Sequence, residues 1–520
     1  MKKEILIVGG GIAGMAYAVR LKKLDVDGRY RIRILSKAPV SQSNSFAAQG
    51  GVAAVIARQD SVEQHVQDTL TVGGGRCIPS VVERVVKDGA ACINELIRMG
   101  ARFDEGSDGL LHLTNEGGHS FPRVVHHLDR TGAEIVRTLL AQVRALDIEV
   151  LPWQRALDLL TVEHRGTTLC TGVRTMHARS GRITDHRASV VVLATGGAGQ
   201  VFRHTTNPPA ATGDGIAMAL RAGVPVRDMA FVQFHPTALY TGREGTVHLV
   251  SEAVRGAGAI LRDRSGFAFM KDVHPMADLA PRNVVARAIH RRMMEEGSAH
   301  VWLDASSFGV EGFAEKFPAI AETCKEHGIV PGRDMIPVMP AAHYLCGGIR
   351  TDDRGHTGME GLLALGECAS TGLHGADRLA SNSLLEALVI AKRAADHTIS
   401  TAVITEQHDM AAAPTITKDI DPRMLELRSQ LRGLMTRHLG IIRTSDGMSI
   451  ARTGIETILD EVDERWRSGS VDPMAIEVRD LATVAWAVAD GALRERESVG
   501  THCVEEEADQ MIRKSDDQMM

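Results

Sequence analysis

Cysteine is scarce and scattered: the seven, at positions 77, 92, 170, 324, 346, 368 and 503, form no CxxC pair. That pattern suits a reducing compartment and leaves no ligand set for an iron–sulfur cluster. No uninterrupted apolar stretch approaches membrane-spanning length, so no spanning helix is expected. Basic charge is short as well, and a formal net charge of −6 argues against a general nucleic-acid binder. His112, His119, His126 and His127 cluster, but their spacing fits no usual ligand pattern, so no metal is expected. There are no internal repeats or long low-complexity tracts. What remains is an ordinary globular composition over 520 residues, too long for one core. Two or three domains and a cytoplasmic location are expected.

The opening residues, MKKEILIVGGGIAG, set two lysines before an apolar run, as a signal peptide does. The apolar core Ile5–Val8 is too short for one, and the glycines behind it suit a phosphate loop better than a cleavage site. Glu4–Val8 reads as a buried parallel strand, and Met15–Leu24 has helical spacing. Between them lies Gly9-Gly10-Gly11-Ile12-Ala13-Gly14, a GxGxxG in the strand–turn–helix setting that dinucleotide binding requires. Gly9 permits the tight turn, Gly11 lets the backbone approach a pyrophosphate, and Gly14 lets the helix sit close on the strand. Free N–H groups at the helix start bind the anion. The second strand, Tyr30–Leu35, should end in an acidic residue for the adenosine ribose, yet it ends in Ser36-Lys37. That lowers the case for free NAD. Ser36 can still hydrogen-bond a ribose hydroxyl, and Lys37 is equally a ligand or a solvated charge.

Three later segments favour FAD. Ser189–Leu193 reads as a strand running into Ala194-Thr195-Gly196-Gly197, a turn where backbone meets ligand closely. Thr212-Gly213-Asp214-Gly215 opens a helical stretch, 216–222, and Leu362–Gly366 reads as a strand ending in Gly366-Glu367. Together they describe a nucleotide domain that is interrupted and then resumed. Ser251–Arg255 reads as helical, and i,i+3 spacing lets Glu252 pair with Arg255, though an ordinary surface ion pair would look the same. Arg282 follows Pro281, a helix-start signal that places the arginine near the positive end of a helix dipole.

Eight long segments carry a resemblance that runs nearly end to end. They are SNSFAAQGGVAA at 43–54, ATGGAG at 194–199, TGDG at 212–215 and QFHPTAL at 233–239. LAPRNVVARAI at 279–289, PAAHYLCGGI at 340–349, GECASTGLHGADRLASNSLLEAL at 366–388 and RESVGTH at 496–502 complete the set. The chain resembles the succinate dehydrogenase/fumarate reductase flavoprotein family, and within it the L-aspartate oxidases. The resemblance implies an α/β fold with a Rossmann-like FAD-binding domain, 1–229 and 345–408. A small α+β capping domain, 230–344, would interrupt it, and a helical C-terminal domain, 415–520, would follow. Within the last domain, 423–434 and 448–467 read as amphipathic helices, and the polar stretch 505–520 is expected to be disordered.

The cofactor residues so implied are Gly9, Gly11, Gly14, Ser36, Lys37, Asn44, Ser45, Gln49, Gly50 and Gly51. Thr195, Gly196, Asp214, Glu367, Ser381 and Leu384 join them. Membrane-bound relatives tether FAD to a histidine where this chain has Asn44, so the FAD is expected to be non-covalent. Fumarate reductases carry an uncharged residue before the paired glycines, where this chain has Glu116-Gly117-Gly118. Glu116 is therefore expected to attract the ammonium of L-aspartate. Arg378, whose planar fork grips a carboxylate in two places, is expected to anchor substrate with His235, His343 and Ser251. Arg282, Glu252 and Arg255 are the implied proton path, with Arg282 as proton donor and its role as a base left open.

The implied reaction takes L-aspartate to iminoaspartate, with oxygen or fumarate as electron acceptor, at the head of NAD biosynthesis. A soluble fumarate reductase or succinate dehydrogenase flavoprotein subunit is the alternative. A flavin-carrying tRNA-modification or scaffold protein is opposed by the acidic balance and by the set Arg282, Arg378, His235 and His343. The oligomer is expected to be a monomer or homodimer. Transient contact with quinolinate synthase is left open.

Overall fold

The computed structural model describes residues 2–400, 414–417 and 419–505. Residues 506–520 of the tail expected to be disordered lie outside these, as do 401–408 of the first domain's second segment. Five parallel strands form the nucleotide-binding sheet. Their order is Leu362–Ala364, Val190–Leu193, Lys3–Val8, Tyr30–Ser36 and Glu149–Pro152. The apolar runs Ile5–Val8 and Val190–Leu193 follow from burial on both faces, Ile5 and Ile7 clustering with helix residues such as Ile12 and Leu385, and Leu6 and Val8 with Leu157 and Val173 of neighbouring strands. Ile5, Leu6 and Ile7 are fully enclosed. The helix Ile12–Leu24 packs on Asn382–Ser400, and the Tyr17 and Thr398 hydroxyls meet between them at 2.9 Å. Two elements 358 or more positions apart in the chain thus close one layer, so the Rossmann-like domain is interrupted and resumed.

The interrupting segment builds its own sheet. Val232–Leu239 pairs antiparallel with Ile336–Leu345, which pairs antiparallel with Val301–Asp304, and that strand with Ile260–Arg262. The helix Arg282–Glu296 packs across Val232–Leu239, which brings Arg282 over His235 and Gln233. The strand His204–Thr205 joins this sheet through Thr205 and Ala342, ahead of the expected boundary at residue 230.

Two local features differ from expectation. The strand expected over 362–366 stops at Ala364 and gives way to a 3-10 turn over Gly366–Cys368. Gly366 takes φ 67°, a left-handed conformation that ends the extended run. An antiparallel meander of Gln154–His164, Thr167–His177 and Ile183–Arg187 has no counterpart among the expected elements.

The C-terminal part is helical: Pro422–His438, Ser445–Arg467 and Pro473–Arg494. Asp421, Thr444 and Asp472 cap these helices by accepting from the N–H groups of Arg423, Gly447 and Met474. The last helix packs on Asp214–Arg221, seating the helical part on the nucleotide fold. Beyond it, the Gly500 carbonyl accepts from Asn283 Nδ2 at 2.9 Å and Arg287 Nη1 at 3.2 Å. The neighbouring Thr501 N–H donates to the Ala376 carbonyl at 3.0 Å. Among the described residues, no helix is long and apolar enough to cross a membrane.

Candidate active site

The turn after the first strand is close-packed. A Cβ on Gly9, which sits at φ 123°, would meet the Ala194 carbonyl oxygen at 2.0 Å. A Cβ on Gly14 would meet the Gly9 carbonyl oxygen at 2.2 Å, so Gly14 acts through packing and does not line the cleft. The helix behind them has no side-chain cap at Gly11, which leaves N–H groups at its start facing the cleft. A chamber of about 720 Å³ beside Ser36, Lys37 and Asp214 shares Gly11, Asn44, Ser45, Ala194 and Gly196 with a larger one of about 1120 Å³. The two make one elongated cleft between the strand ends and the capping sheet.

The lining fits FAD. The buried oxygens Asn44 Oδ1, Gln49 Oε1 and Thr195 Oγ1 have no hydrogen-bond partner among the described residues, so the cleft offers polar groups in need of a ligand. Ser45 Oγ accepts from the Ile12 N–H at 3.1 Å, fixing the 44–51 loop against the helix start. Lys37 is not a free solvated charge, because its Nζ lies 3.0 Å from Asp214 and donates to Thr212 at 2.7 Å. Asn44 Nδ2 donates to Glu367 at 3.1 Å. Burial holds the Glu367 carboxyl above its ordinary range. Gly50, Gly51, Ser381 and Leu384 line the larger chamber, where the cofactor cleft meets the cap.

At that junction the structure gathers the residues expected to hold substrate. His235, Ser251, Glu252, Arg282, His343, Arg378 and Glu116 line one wall system, contributed by both domains. His235 Nδ1 accepts from the Thr237 N–H at 3.2 Å, so the ring proton sits on Nε2, which has no hydrogen-bond partner among the described residues. Burial, reinforced by Arg282, drives the His235 pKa far down, so the ring is a neutral donor. His343 is likewise neutral, through burial and then Arg378, and its Nδ1 lies 2.7 Å from the Thr206 hydroxyl. Ser251 caps the short helix Glu252–Gly256, its Oγ accepting from Ala253 at 3.3 Å.

The carboxylate of Glu252 lies 2.6 Å from Arg282 Nε and 3.6 Å from Arg255 Nη2, and it accepts from the Gly117 N–H at 2.9 Å. Glu252 and Arg255 are completely shielded from solvent, so their contact is no surface pair. Arg255 lies behind Glu252, outside the lining. Burial would raise the Glu252 pKa, but Arg282 and Arg255 outweigh it and the net direction is down. Burial would lower Arg282, but Glu252 and Glu116 outweigh it and the guanidinium is held more firmly charged.

Gln233, Thr206 and Tyr344 were not expected at the site. Gln233 Oε1 accepts from Arg282 Nη1 at 3.1 Å and from Arg378 Nε and Nη2 at 3.2 and 3.0 Å. Its Nε2 donates to Asp377 at 2.6 Å and to the Arg378 carbonyl at 2.8 Å. The Arg378 guanidinium carbon lies 4.2 Å from the centre of the Tyr344 ring. Gln233 lies inside the quoted QFHP run, and its place there was the available signal.

Glu116 is 4% exposed, and its Oε2 accepts from the Ser381 hydroxyl at 2.6 Å. Burial and then Glu252 push its pKa up, against the pull of Arg282. The chamber therefore sets two guanidiniums and two neutral imidazoles beside three carboxyls: Glu252 is paired with Arg282, Glu367 accepts from Asn44, and Glu116, near Gly50, accepts from Ser381.

Residues 4–384 match the FAD binding domain family, and 428–520 match the fumarate reductase flavoprotein C-term family. The L-aspartate oxidase of Streptomyces coelicolor is 42% identical over 97% of this chain and 89% of its own length. That of Pseudomonas aeruginosa is 41% identical over 96% of this chain and 94% of its own. Among solved structures, FrdA of E. coli quinol fumarate reductase aligns over 98% of this chain and 92% of its own, at 30% identity and a TM-score of 0.87. Mycobacterium smegmatis Sdh1 aligns over 97% and 89%, at 28% identity and a TM-score of 0.79. Matches of this extent and order, over both the nucleotide fold and the helical end, make the chain a member of the L-aspartate oxidases, within the FAD-binding flavoproteins to which fumarate reductase belongs.

Proposed function

We propose that the chain oxidises L-aspartate to iminoaspartate, with oxygen giving hydrogen peroxide or fumarate giving succinate as acceptor. The observation that carries this reading is the carboxyl of Glu116, held by the Ser381 hydroxyl in the chamber that also presents Arg282, Arg378, His235 and His343. A dicarboxylate without an amine gains nothing from it, whereas an α-ammonium finds its counter-charge there. Arg378, with His343, holds one substrate carboxylate, and His235 with Ser251 and Arg282 holds the other. Bound non-covalently in the cleft, FAD supplies the acceptor for the hydride that leaves the substrate α-carbon. The raised pKa of Glu116 also suits it to take the ammonium proton, so that the hydride leaves a free amine.

Arg282 serves as charge partner and, in the fumarate direction, as proton donor. Glu252 and Arg255 stand behind it to resupply the proton, and the 2.6 Å contact of Arg282 with Glu252 supports that order. A firmly charged guanidinium is a poor base, which argues against Arg282 removing protons from aspartate. The same reading places the enzyme in the cytoplasm, at the first step of NAD biosynthesis, as a monomer or homodimer. It also allows transient contact with a quinolinate synthase that takes up the unstable imine. Anaerobic mixing of the purified holoenzyme with L-aspartate tests the reaction: aspartate is expected to bleach the flavin absorbance. Bleaching by succinate and not by aspartate overturns the proposal.

A further inference from the structure

Behind Glu116 and Ser381 lies a set of polar contacts that none of the proposed roles uses. Arg123 is fully buried and donates from Nε and Nη2 to the two oxygens of Asp60, each at 2.9 Å. Its Nη1 reaches Asp68 and, at 3.1 Å, Nδ1 of His119. A guanidinium only donates, so Nδ1 of His119 is the acceptor. On the other side of the ring, Nε2 lies 2.9 Å from the Ala380 carbonyl, which only accepts, so Nε2 carries the proton. The two contacts select one neutral tautomer. Burial agrees with them by drawing the His119 pKa down to about 4, and Arg123 adds to that shift.

The carbonyl held by His119 belongs to the peptide that enters Ser381. Ser381 sits at φ 62°, a left-handed conformation that few non-glycine residues adopt. Its own carbonyl accepts from the Ala53 N–H at 3.1 Å, so the peptides on both sides of it are tied down. Held this way, Ser381 brings its Oγ to 2.6 Å from Glu116 Oε2. The His119 loop is fixed in turn: its N–H donates to the Glu116 carbonyl at 3.2 Å, and Ser120 donates to Asp68 from both N–H and Oγ, at 2.9 and 2.7 Å. The ring thus braces the Ser381 side of the Glu116–Ser381 contact and the His119 main chain the Glu116 side, and the ring does not line the chamber.

We propose that His119 is a positioning residue for substrate choice: its Nε2–H holds the Ala380 carbonyl so that Ser381 presents its hydroxyl to Glu116. The proposal rests on Glu116 as the ammonium site. Loss of the brace frees Ser381 to relax toward ordinary backbone angles, and Glu116 then loses the donor that aims it. Carboxylate binding by Arg378 and Arg282 passes through other atoms and is left intact.

Three holoenzyme variants test this. His119→Leu removes both contacts. His119→Asn keeps polarity but is too short to span Arg123 and Ala380. His119→Gln keeps one acceptor and one donor at nearly the ring's reach. KM and kcat are measured for aspartate oxidation and for fumarate reduction, and the Kd of succinate is read from the flavin difference spectrum. His119→Leu and His119→Asn are expected to raise the aspartate KM about tenfold or more, with fumarate KM and succinate Kd within about twofold of wild type. His119→Gln is expected to recover most of the loss. Equal losses on aspartate and fumarate, an unchanged aspartate KM in His119→Asn, or no recovery in His119→Gln would each overturn the proposal. Should His119→Leu fail to retain FAD, the Asn and Gln pair decides. A wild-type enzyme that aspartate does not reduce defeats the functional reading itself, which is a different outcome.

Discussion

Arg282 and Arg378 share one acceptor, Oε1 of Gln233, at 3.1 and 3.0 Å. An amide oxygen spaces the two guanidiniums without cancelling either charge, so both stay available for carboxylates. Gln233→Glu puts a carboxylate there instead. KM for aspartate and for fumarate are both expected to rise, by about tenfold or more, since a charged hydrogen bond of this kind is worth about 1.5–3 kcal/mol. Steady-state kinetics with either substrate checks this, and the flavin spectrum should be unchanged.

Glu116→Gln separates the two substrates. A unit charge pair at about 4 Å and an effective dielectric of about 20 is worth ~4 kcal/mol before desolvation, enough to decide for aspartate over succinate if half survives. Aspartate turnover is expected to fall sharply while fumarate reduction persists. An equal loss of both would make Glu116 a structural residue.

The pKa of Glu116 is raised, so it takes a proton at a higher pH than a free glutamate. Below that folded-state value it is neutral, while the substrate ammonium stays charged. KM for aspartate is therefore expected to climb as pH falls, and KM for fumarate, freed from repulsion, to hold or improve. A pH series of KM for both substrates, with Glu116→Gln flattening the aspartate profile, checks the sign.

Asn44 offers an amide, not a nucleophilic ring nitrogen, and that amide is engaged with Glu367 at 3.1 Å. Denaturing the holoenzyme in acid is expected to release FAD quantitatively into the supernatant. Yellow colour retained in the protein pellet would contradict non-covalent binding.

The nucleotide half of the molecule was legible in the chain because its constraints are local. Gly9 must turn at φ 123° and Gly14 must let a helix touch a strand, and such demands leave few residue choices over a short stretch. The family segments carried the rest, including Glu116, which alone would have been a loop carboxylate. What escaped depends on partners distant in sequence. Lys37 became a paired charge only once Asp214 was folded against it. Gln233 became a spacer only when two arginines from separate segments arrived at its oxygen. The left-handed turn at Ser381 left no mark, since serine ordinarily avoids it. The 154–187 meander was missed although Leu157, Leu159, Cys170, Val173 and Met176 are buried in it, because register shifts at Ala156/Asp158 and Leu160/Thr161 break the alternation that marks a strand.

The Gly500 carbonyl and the Thr501 N–H belong to one peptide unit, and that unit is planar and rigid. Its oxygen side grips the helix that begins at Arg282, and its nitrogen side grips the loop that leads to Arg378. The spacing between that helix and that loop is thus held from outside the chamber, by a single peptide unit. A side chain at position 500 would disturb that spacing, since a Cβ there meets the Ala376 oxygen at 2.4 Å. The turn around Gly500 thus couples the placement of Arg282 to that of Arg378 across the fold.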